Sequence, residues 1–576
     1  MTVPADPQRT PRRQGFARRE DGSMTIMALL FFVCMVMIAG ISVDIMVFEN
    51  QRTRLQNLSD RATLAAADMQ QDIDPQTVVE DYFAKAGMAD HLDAVRVVDN
   101  PNERRVAAIA STVYNTMFMS MTGADTLTPR AFSEAVEGIT DVEISLVLDV
   151  SGSMGWASSA PGSTSKMADL KKAAKRFIDT VYARDHQHRI TTTIVPYSTQ
   201  VNAGPLIFDA MSPTDEHDYS QCIEFEDADF ASVTLDLSKA YQRAGHFDMW
   251  NASATPRRTV CRTETGMTIT PFLSDTAKIK AAIDRLSASG QTSIETGLKW
   301  GAAFLDPSTR PMSAVLPNVR TQHSDRPFAY DRENTSKFVV LLTDGVNTTH
   351  KKLKAPYLDG PSDVWKYIPR WGEAREVVGP GWGVDPGDSI RHVVYSVARP
   401  ENGDEDGDGI AGEGYWVDSM VTYNGVWIPE RWIAEPFGTP VWDTPNPAPG
   451  PASPDRYNVW NLDWPEVWLE MPVQRYATRL VWDPRNSSSE RNAFYRAAWS
   501  DVGGWKKDRR MRTLCGKLKD AKVTVYTIGF EVNDHAAGVM QNCASTANHF
   551  IRVVGDDLED AFDAIASDIS RLRLTQ

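Results

Sequence analysis

The stretch Ile144-Ser145-Leu146-Val147-Leu148-Asp149-Val150-Ser151-Gly152-Ser153 decides the fold. Its first half is an apolar run of strand length, the pattern of a strand buried on both faces of a parallel sheet. Its second half sets three short oxygen-bearing side chains, Asp149, Ser151 and Ser153, at the carboxyl end of that strand. Open α/β sheets bind their ligands at that end. Carboxylate and hydroxyl oxygens are hard donors and suit a hard divalent cation. Alone, the same residues would serve equally well as the cap of the helix predicted over 165–183.

Two further loops offer matching oxygens. Gly290-Gln291-Thr292 precedes a predicted helix at 293–305, and a predicted strand at 337–342 ends in Thr343-Asp344-Gly345. With these loops the pattern resembles the metal-ion-dependent adhesion site of von Willebrand factor A (vWA) domains. The resemblance implies that Ser151, Ser153 and Thr292 coordinate Mg²⁺ (or Mn²⁺ or Ca²⁺), directly or through water. It implies that Asp149 and Asp344 orient waters and hydroxyls around the ion. It also implies an open coordination position that a partner protein's carboxylate fills.

Outward from this core, strands are expected at 143–148, 189–195, 337–342 and 522–529, with helices at 165–183, 277–288, 293–305 and 558–572. Strand–helix alternation predicts a doubly wound, mostly parallel α/β sheet, Rossmann-like in class, over 141–576. Two long insertions interrupt it, at about 204–270 and 346–510. The second holds 13 of the 16 Trp. Such aromatic content argues for an ordered segment. Its Trp either form a core of their own, the stronger reading, or present a binding cap beside Asp344. Within it, Asp404, Asp406, Asp408, Ile410 and Glu413 are spaced like half a calcium loop, although Tyr415 stands where a helix-loop-helix site needs its bidentate Glu. A short Ca²⁺ loop and a solvated acidic turn are both open readings.

At the amino end, Arg9, Arg12, Arg13, Arg18 and Arg19 precede an apolar segment at 24–43 that is long enough to cross a bilayer. The charge bias predicts a cytoplasmic tail at 1–23, an anchor at 24–47 in the inner membrane, and the rest of the chain outside the cytoplasm, periplasmic or extracellular. A cleaved signal would have a shorter core and a small-residue cleavage site. Gly22-Ser23, the apolar segment and the helical spacing of Leu55, Leu58, Ala62, Ala65 and Ala66 resemble the amino-terminal region, to about residue 70, of tight-adherence (Tad/Flp) pilus-assembly proteins. The TadG-like members of that group join such an anchor to a vWA domain. Met27 stands where pilin-like precursors carry Glu, which argues against prepilin-type processing. Residues 71–140 read as a small α/β stalk.

Five Cys are present. Cys34 falls in the apolar segment and is expected to be buried. Cys222, Cys261, Cys515 and Cys543 are even in number and suit two disulfides, with sequence neighbours paired, or else free thiols. A net charge of −16 gives nucleic-acid binding no support. No nucleophile elbow, paired His motif or phosphate loop points to catalysis. The expected function is therefore metal-dependent protein binding in a pilus-assembly or adhesion apparatus. An extracytoplasmic metal-dependent hydrolase and a scaffold with a structural metal are the alternatives.

Overall fold

The computed structural model describes residues 23–68, 71, 73–100, 103–138, 140–183, 185, 188–252, 255–317, 319–367, 394–399, 414–418, 420–421, 427–428, 431–433 and 459–575. The basic tail and the acidic loop with Asp404, Asp406, Asp408, Ile410 and Glu413 lie outside the described residues. The chain divides into two compact units, 1–140 with 574–576, and 141–573.

In the first unit a single helix, Ser23–Ala67, carries the apolar segment. It is the one helix among the described residues long and apolar enough to cross a membrane. Its second half is amphipathic. Leu55, Ala62 and Ala66 pack with Val79 and Phe83 of the helix Pro75–Lys85 and with Val106, Ala108 and Ala131 of a three-stranded sheet. That sheet is antiparallel and runs Leu92–Asn100, Glu103–Ser111, Arg130–Gly138. Cys34 was expected to be buried, but it is exposed. Among the described residues, the large side chains of its first turns, from Met24 to Phe32, are exposed.

In the second unit six strands lie in the order Phe550–Val553, Thr524–Phe530, Thr335–Thr343, Asp141–Asp149, Ile190–Tyr197, Thr270–Leu273. The first five are parallel and the last is antiparallel. Numbered along the chain, this is the doubly wound order 3-2-1-4-5-6 read from the Thr270–Leu273 edge. Its switch point falls between Asp141–Asp149 and Thr335–Thr343. All nine residues of Asp141–Asp149 are buried, as the apolar run requires. Its Ile144, Leu146 and Leu148 meet the helices Lys166–Tyr182 and Asp557–Thr575 on one face. Val147 meets the layer containing Ile294–Ala303 and Gly504–Asp520 on the other.

The helix Ile294–Ala303 comes close to the sheet because Gly297 and Gly301 lack side chains. A Cβ at Gly301 would stand 2.4 Å from Val147 Cγ2, and one at Gly297 would stand 2.6 Å from the Tyr197 ring. The predicted helix at 277–288 ends at Asp284. The chain beyond it leaves the helix so that the Ser289 N–H can donate to the Val150 carbonyl at 2.9 Å. Ser165 caps the helix Lys166–Tyr182, its hydroxyl accepting from the Ala168 N–H at 3.1 Å. Ser165→Ala is expected to cost about 1 kcal/mol, read as a lower midpoint in chemical denaturation.

Disulfides join Cys222 to Cys261 and Cys515 to Cys543, with Cα atoms 5.9 and 5.1 Å apart. The second insertion begins with a two-stranded antiparallel ladder, His350–Leu353 against Trp499–Val502. Beyond it stands a five-stranded antiparallel sheet. A helical layer packs on that sheet through Trp464, Trp468, Tyr476 and Phe494. Trp464 and Trp468 stack at 5.1 Å, and Tyr476 meets Phe494 at 5.0 Å. These described Trp therefore form a core. Phe247, Met249 and Val260 of the first insertion join the same core, so the two insertions pack together.

Candidate metal site at the carboxyl end of the sheet

At the switch point, Asp149 ends its strand with a fully buried carboxylate. One oxygen accepts from the Ser151 N–H at 2.8 Å, closing a tight turn at the end of the strand. The other accepts from the Thr343 hydroxyl at 2.8 Å. Tyr197 stands opposite Asp149 in the sheet register, its hydroxyl 3.5 Å from the same oxygen and donating to the Leu342 carbonyl at 2.9 Å. The Ser151 and Ser153 hydroxyls are 3.2 Å apart. Ser153 Oγ donates to Asp344 Oδ1 at 2.6 Å. Asp149, Ser151, Ser153 and Asp344 thus form one continuous hydrogen-bonded group, though Asp344 is 191 residues from Ser153.

Thr292 is brought to this group by backbone. The Gly152 N–H donates to the Gly290 carbonyl at 2.9 Å, and Gly290 sits at φ +89°. Thr292 is buried, its N–H donating to Thr348 Oγ1 at 2.9 Å and its carbonyl accepting from Lys507 Nζ at 3.1 Å. Its hydroxyl is not part of the hydrogen-bonded chain through Ser153.

Burial, reinforced by the charge of Asp344, pushes the Asp149 carboxyl up to about 7. The neighbouring Asp344 carboxylate disfavours the charge of Asp149, and a cation between them would relieve it. Part of this need is met internally. Lys166 Nζ stands 3.2 Å from Asp344 Oδ2 and 3.5 Å from Glu531 Oε2. Burial disfavours the charge of Glu531, but hydrogen bonds from Ser159 and Gly555 and the Lys166 ammonium hold its carboxyl below the usual range. The donor set of two Asp and three hydroxyl residues fits a hard divalent ion. Among the described residues no group of three or more His, Cys, Asp or Glu is placed to hold a metal ion.

Thr343, Tyr197, Lys166, Glu531 and Lys507 were not singled out from the sequence. Thr343 and Tyr197 could have been, since each ends or nearly ends a strand beside Asp149. Nothing in the sequence places Glu531 or Lys507 here.

The strand order, with an antiparallel edge and oxygen-bearing loops at the switch point, gives the second unit a mostly parallel six-stranded fold like that of vWA domains. Residues 22–70 match the family described as "Putative Flp pilus-assembly TadE/G-like". Three solved structures are similar. The vWF domain of the type V pili tip protein Mfa5 from Porphyromonas gingivalis is 14% identical with a TM-score of 0.29, covering 76% of this chain and 97% of that one. The pilus adhesin SpaC from Lactobacillus rhamnosus GG is 13% identical with a TM-score of 0.27, covering 83% of this chain and 34% of that one. This chain thus spans about a third of the adhesin's length. Proximal thread matrix protein 1 from the mussel byssus, with its MIDAS motif occupied by zinc, is 10% identical with a TM-score of 0.24, covering 74% and 46%. No curated protein matches the chain.

Proposed function

We propose that this chain is a membrane-anchored, metal-dependent protein-binding component of a pilus-assembly or tight-adherence apparatus. The observation that carries the reading is the hydrogen-bonded group of Asp149, Ser151, Ser153 and Asp344 at the sheet's switch point. Ser151, Ser153 and Thr292 would hold Mg²⁺, or Mn²⁺ or Ca²⁺, while Asp149 and Asp344 would orient waters around it. The ion would supply a point of attraction for a partner's carboxylate. The chain's own part is to fix the serines, through the Ser151 N–H on Asp149, and to fix Asp344, through Lys166. Both carboxylates are engaged in these bonds, which favours binding over catalysis.

The Tad-like amino-terminal region supports placement in an envelope apparatus. The helix Ser23–Ala67 would be retained as a single inner-membrane anchor, with the amino terminus inside and the second unit outside the cytoplasm. The test is capture of envelope proteins by the full chain in Mg²⁺ and in EDTA, with Asp149→Ala alongside. We expect partners that are retained in Mg²⁺ and lost both in EDTA and with Asp149→Ala. Capture that is unchanged by EDTA would leave the metal a structural part at most.

A further inference from the structure

We propose that the hairpin at 113–127 is a membrane-dipping element, whose Val113, Met117, Phe118 and Met121 enter the outer leaflet of the bilayer crossed by the amino-terminal helix. The proposal rests on the reading of that helix as a retained anchor.

The hairpin is short and closed. Tyr114–Asn115 pairs antiparallel with Thr126–Leu127, and the tip is a 3₁₀ turn, Met119–Thr122. Gly123, at φ +94°, lets the chain reverse after that turn. The hairpin is fixed to the helix at two points. Gly40 admits the ring of Phe118 so closely that a Cβ there would stand 2.5 Å from ring atoms. One turn on, the buried Asp44 carboxylate accepts four hydrogen bonds from the hairpin. They come from the Tyr114 hydroxyl at 2.8 Å and from the N–H groups of Met117, Phe118 and Met119 at 3.0, 2.8 and 2.7 Å.

These contacts set the height of the tip. The apolar run at 24–43 rises about 30 Å at about 1.5 Å per residue, which is the hydrocarbon thickness of a bilayer. Gly40 then lies about 5 Å inside the boundary that Val43 marks. Phe118, seated on Gly40, lies at acyl depth. Around it Met117 and Met121 are each 70% exposed and Val113 is 66% exposed. From Ser111 to Ala124 the chain carries no charged side chain.

The backbone is prepared for a dry environment. Irregular backbone at lipid depth must satisfy its polar groups internally. The N–H groups of 117, 118 and 119 go to Asp44, that of Thr116 to the Asp125 carbonyl, that of Met121 to Phe118, that of Gly123 to Ser120 and that of Ala124 to Met119. Asp44 would be costly to bring near hydrocarbon bare, and its four donors remove that cost. Methionine, flexible and polarisable, suits a surface that meets mobile acyl chains.

The test uses the full chain reconstituted alone into phosphatidylcholine–phosphatidylglycerol liposomes, in a Cys34→Ala background. A single environment-sensitive nitrobenzoxadiazole label is placed at Met117→Cys or Met121→Cys. Controls are Leu30→Cys within the span and Glu80→Cys on the exposed face of Pro75–Lys85. Lipids carrying a nitroxide near the top of the acyl chain are the quencher. We expect labels at 117 and 121 to be blue-shifted and quenched at least about threefold more than the label at 80. Equal quenching at 117, 121 and 80, with the label at 30 lipid-quenched, would overturn the proposal while sparing the anchor. A blue shift without quenching would mean protein contact and would also overturn it. A label at 30 that is not quenched would overturn the anchor and the dipping hairpin together.

Discussion

Alanine in place of Asp149 is expected to weaken divalent-metal affinity about 10–100-fold while leaving the six-stranded sheet folded. The carboxylate fixes the Ser151 turn and binds Thr343, so its loss frees the hydroxyls that would meet the ion. The fold does not depend on it. With no metal bound, burial and Asp344 raise the Asp149 carboxyl from 3.8 to about 7. A carboxyl raised in the folded state costs stability as pH rises from its unfolded value towards its folded one. Removing it therefore costs the metal-free domain little. The readout is thermal unfolding with and without Mg²⁺. A ligand that binds only the folded state raises its stability, so the wild type should gain in Mg²⁺ and Asp149→Ala should not. Thr292→Ala and Asp344→Ala should behave in the same way. A variant whose melting temperature still climbs with Mg²⁺ would remove Asp149 from the site.

Lys337→Met is expected to cost about 3–5 kcal/mol in folding stability, the penalty for leaving a buried charge without its partner. Lys337 Nζ lies 2.5 Å from Glu143 Oε2 and donates to the Leu305 carbonyl at 2.8 Å. Both side chains are almost wholly buried, on neighbouring strands at the amino end of the sheet. Arg326 stands at the edge of the same cluster, bound to Asp141 at 2.9 Å, with Glu143 Oε1 4.0 Å away, and is placed to screen Glu143 only in part. The double variant Lys337→Met with Glu143→Leu should recover much of the loss, because an apolar pair of similar volume needs no desolvation. Denaturant melts of the two variants decide the matter. A single variant within about 1 kcal/mol of wild type would mean that water or Arg326 already carries the charge of Glu143.

The parallel sheet was legible because its strands are apolar runs and its helices amphipathic stretches, patterns that depend on neighbours in sequence. The strand-end positions of Asp149 and Asp344 were legible for a related reason, since each stands at the end of such a run. What the sequence concealed depends on distant segments. Thr270–Leu273 is short, antiparallel and preceded by a polar insertion, so it carries no periodic signal. Phe550–Val553 is a four-residue edge strand with only Val553 buried, and the helix Asp534–Cys543 is short, so neither carries a strong periodic signal. Lys166 reads as an ordinary first-turn residue of an amphipathic helix, and only folding brings Asp344 to it. The cross-packing of the two insertions through Phe247 and Val260 has no local mark at all.

The ladder of His350–Leu353 with Trp499–Val502 has a consequence for how such a chain can change over evolutionary time. Leu353 and Trp499 are register partners, and the Lys354 N–H still reaches the Ala498 carbonyl at 2.9 Å. About 145 residues therefore leave and re-enter the domain through a doorway one residue pair wide. Closing a longer loop costs only about 0.6 kcal/mol per doubling of its length, so loops beyond the doorway can lengthen or shrink at small thermodynamic expense, while the core shared with Phe247, Met249 and Val260 must keep its packing. The segment returns at Gly504, whose helix carries Lys507 back to the Thr292 carbonyl. The doorway thus separates loops that can vary in length on its far side from the loops of the candidate metal site on its near side.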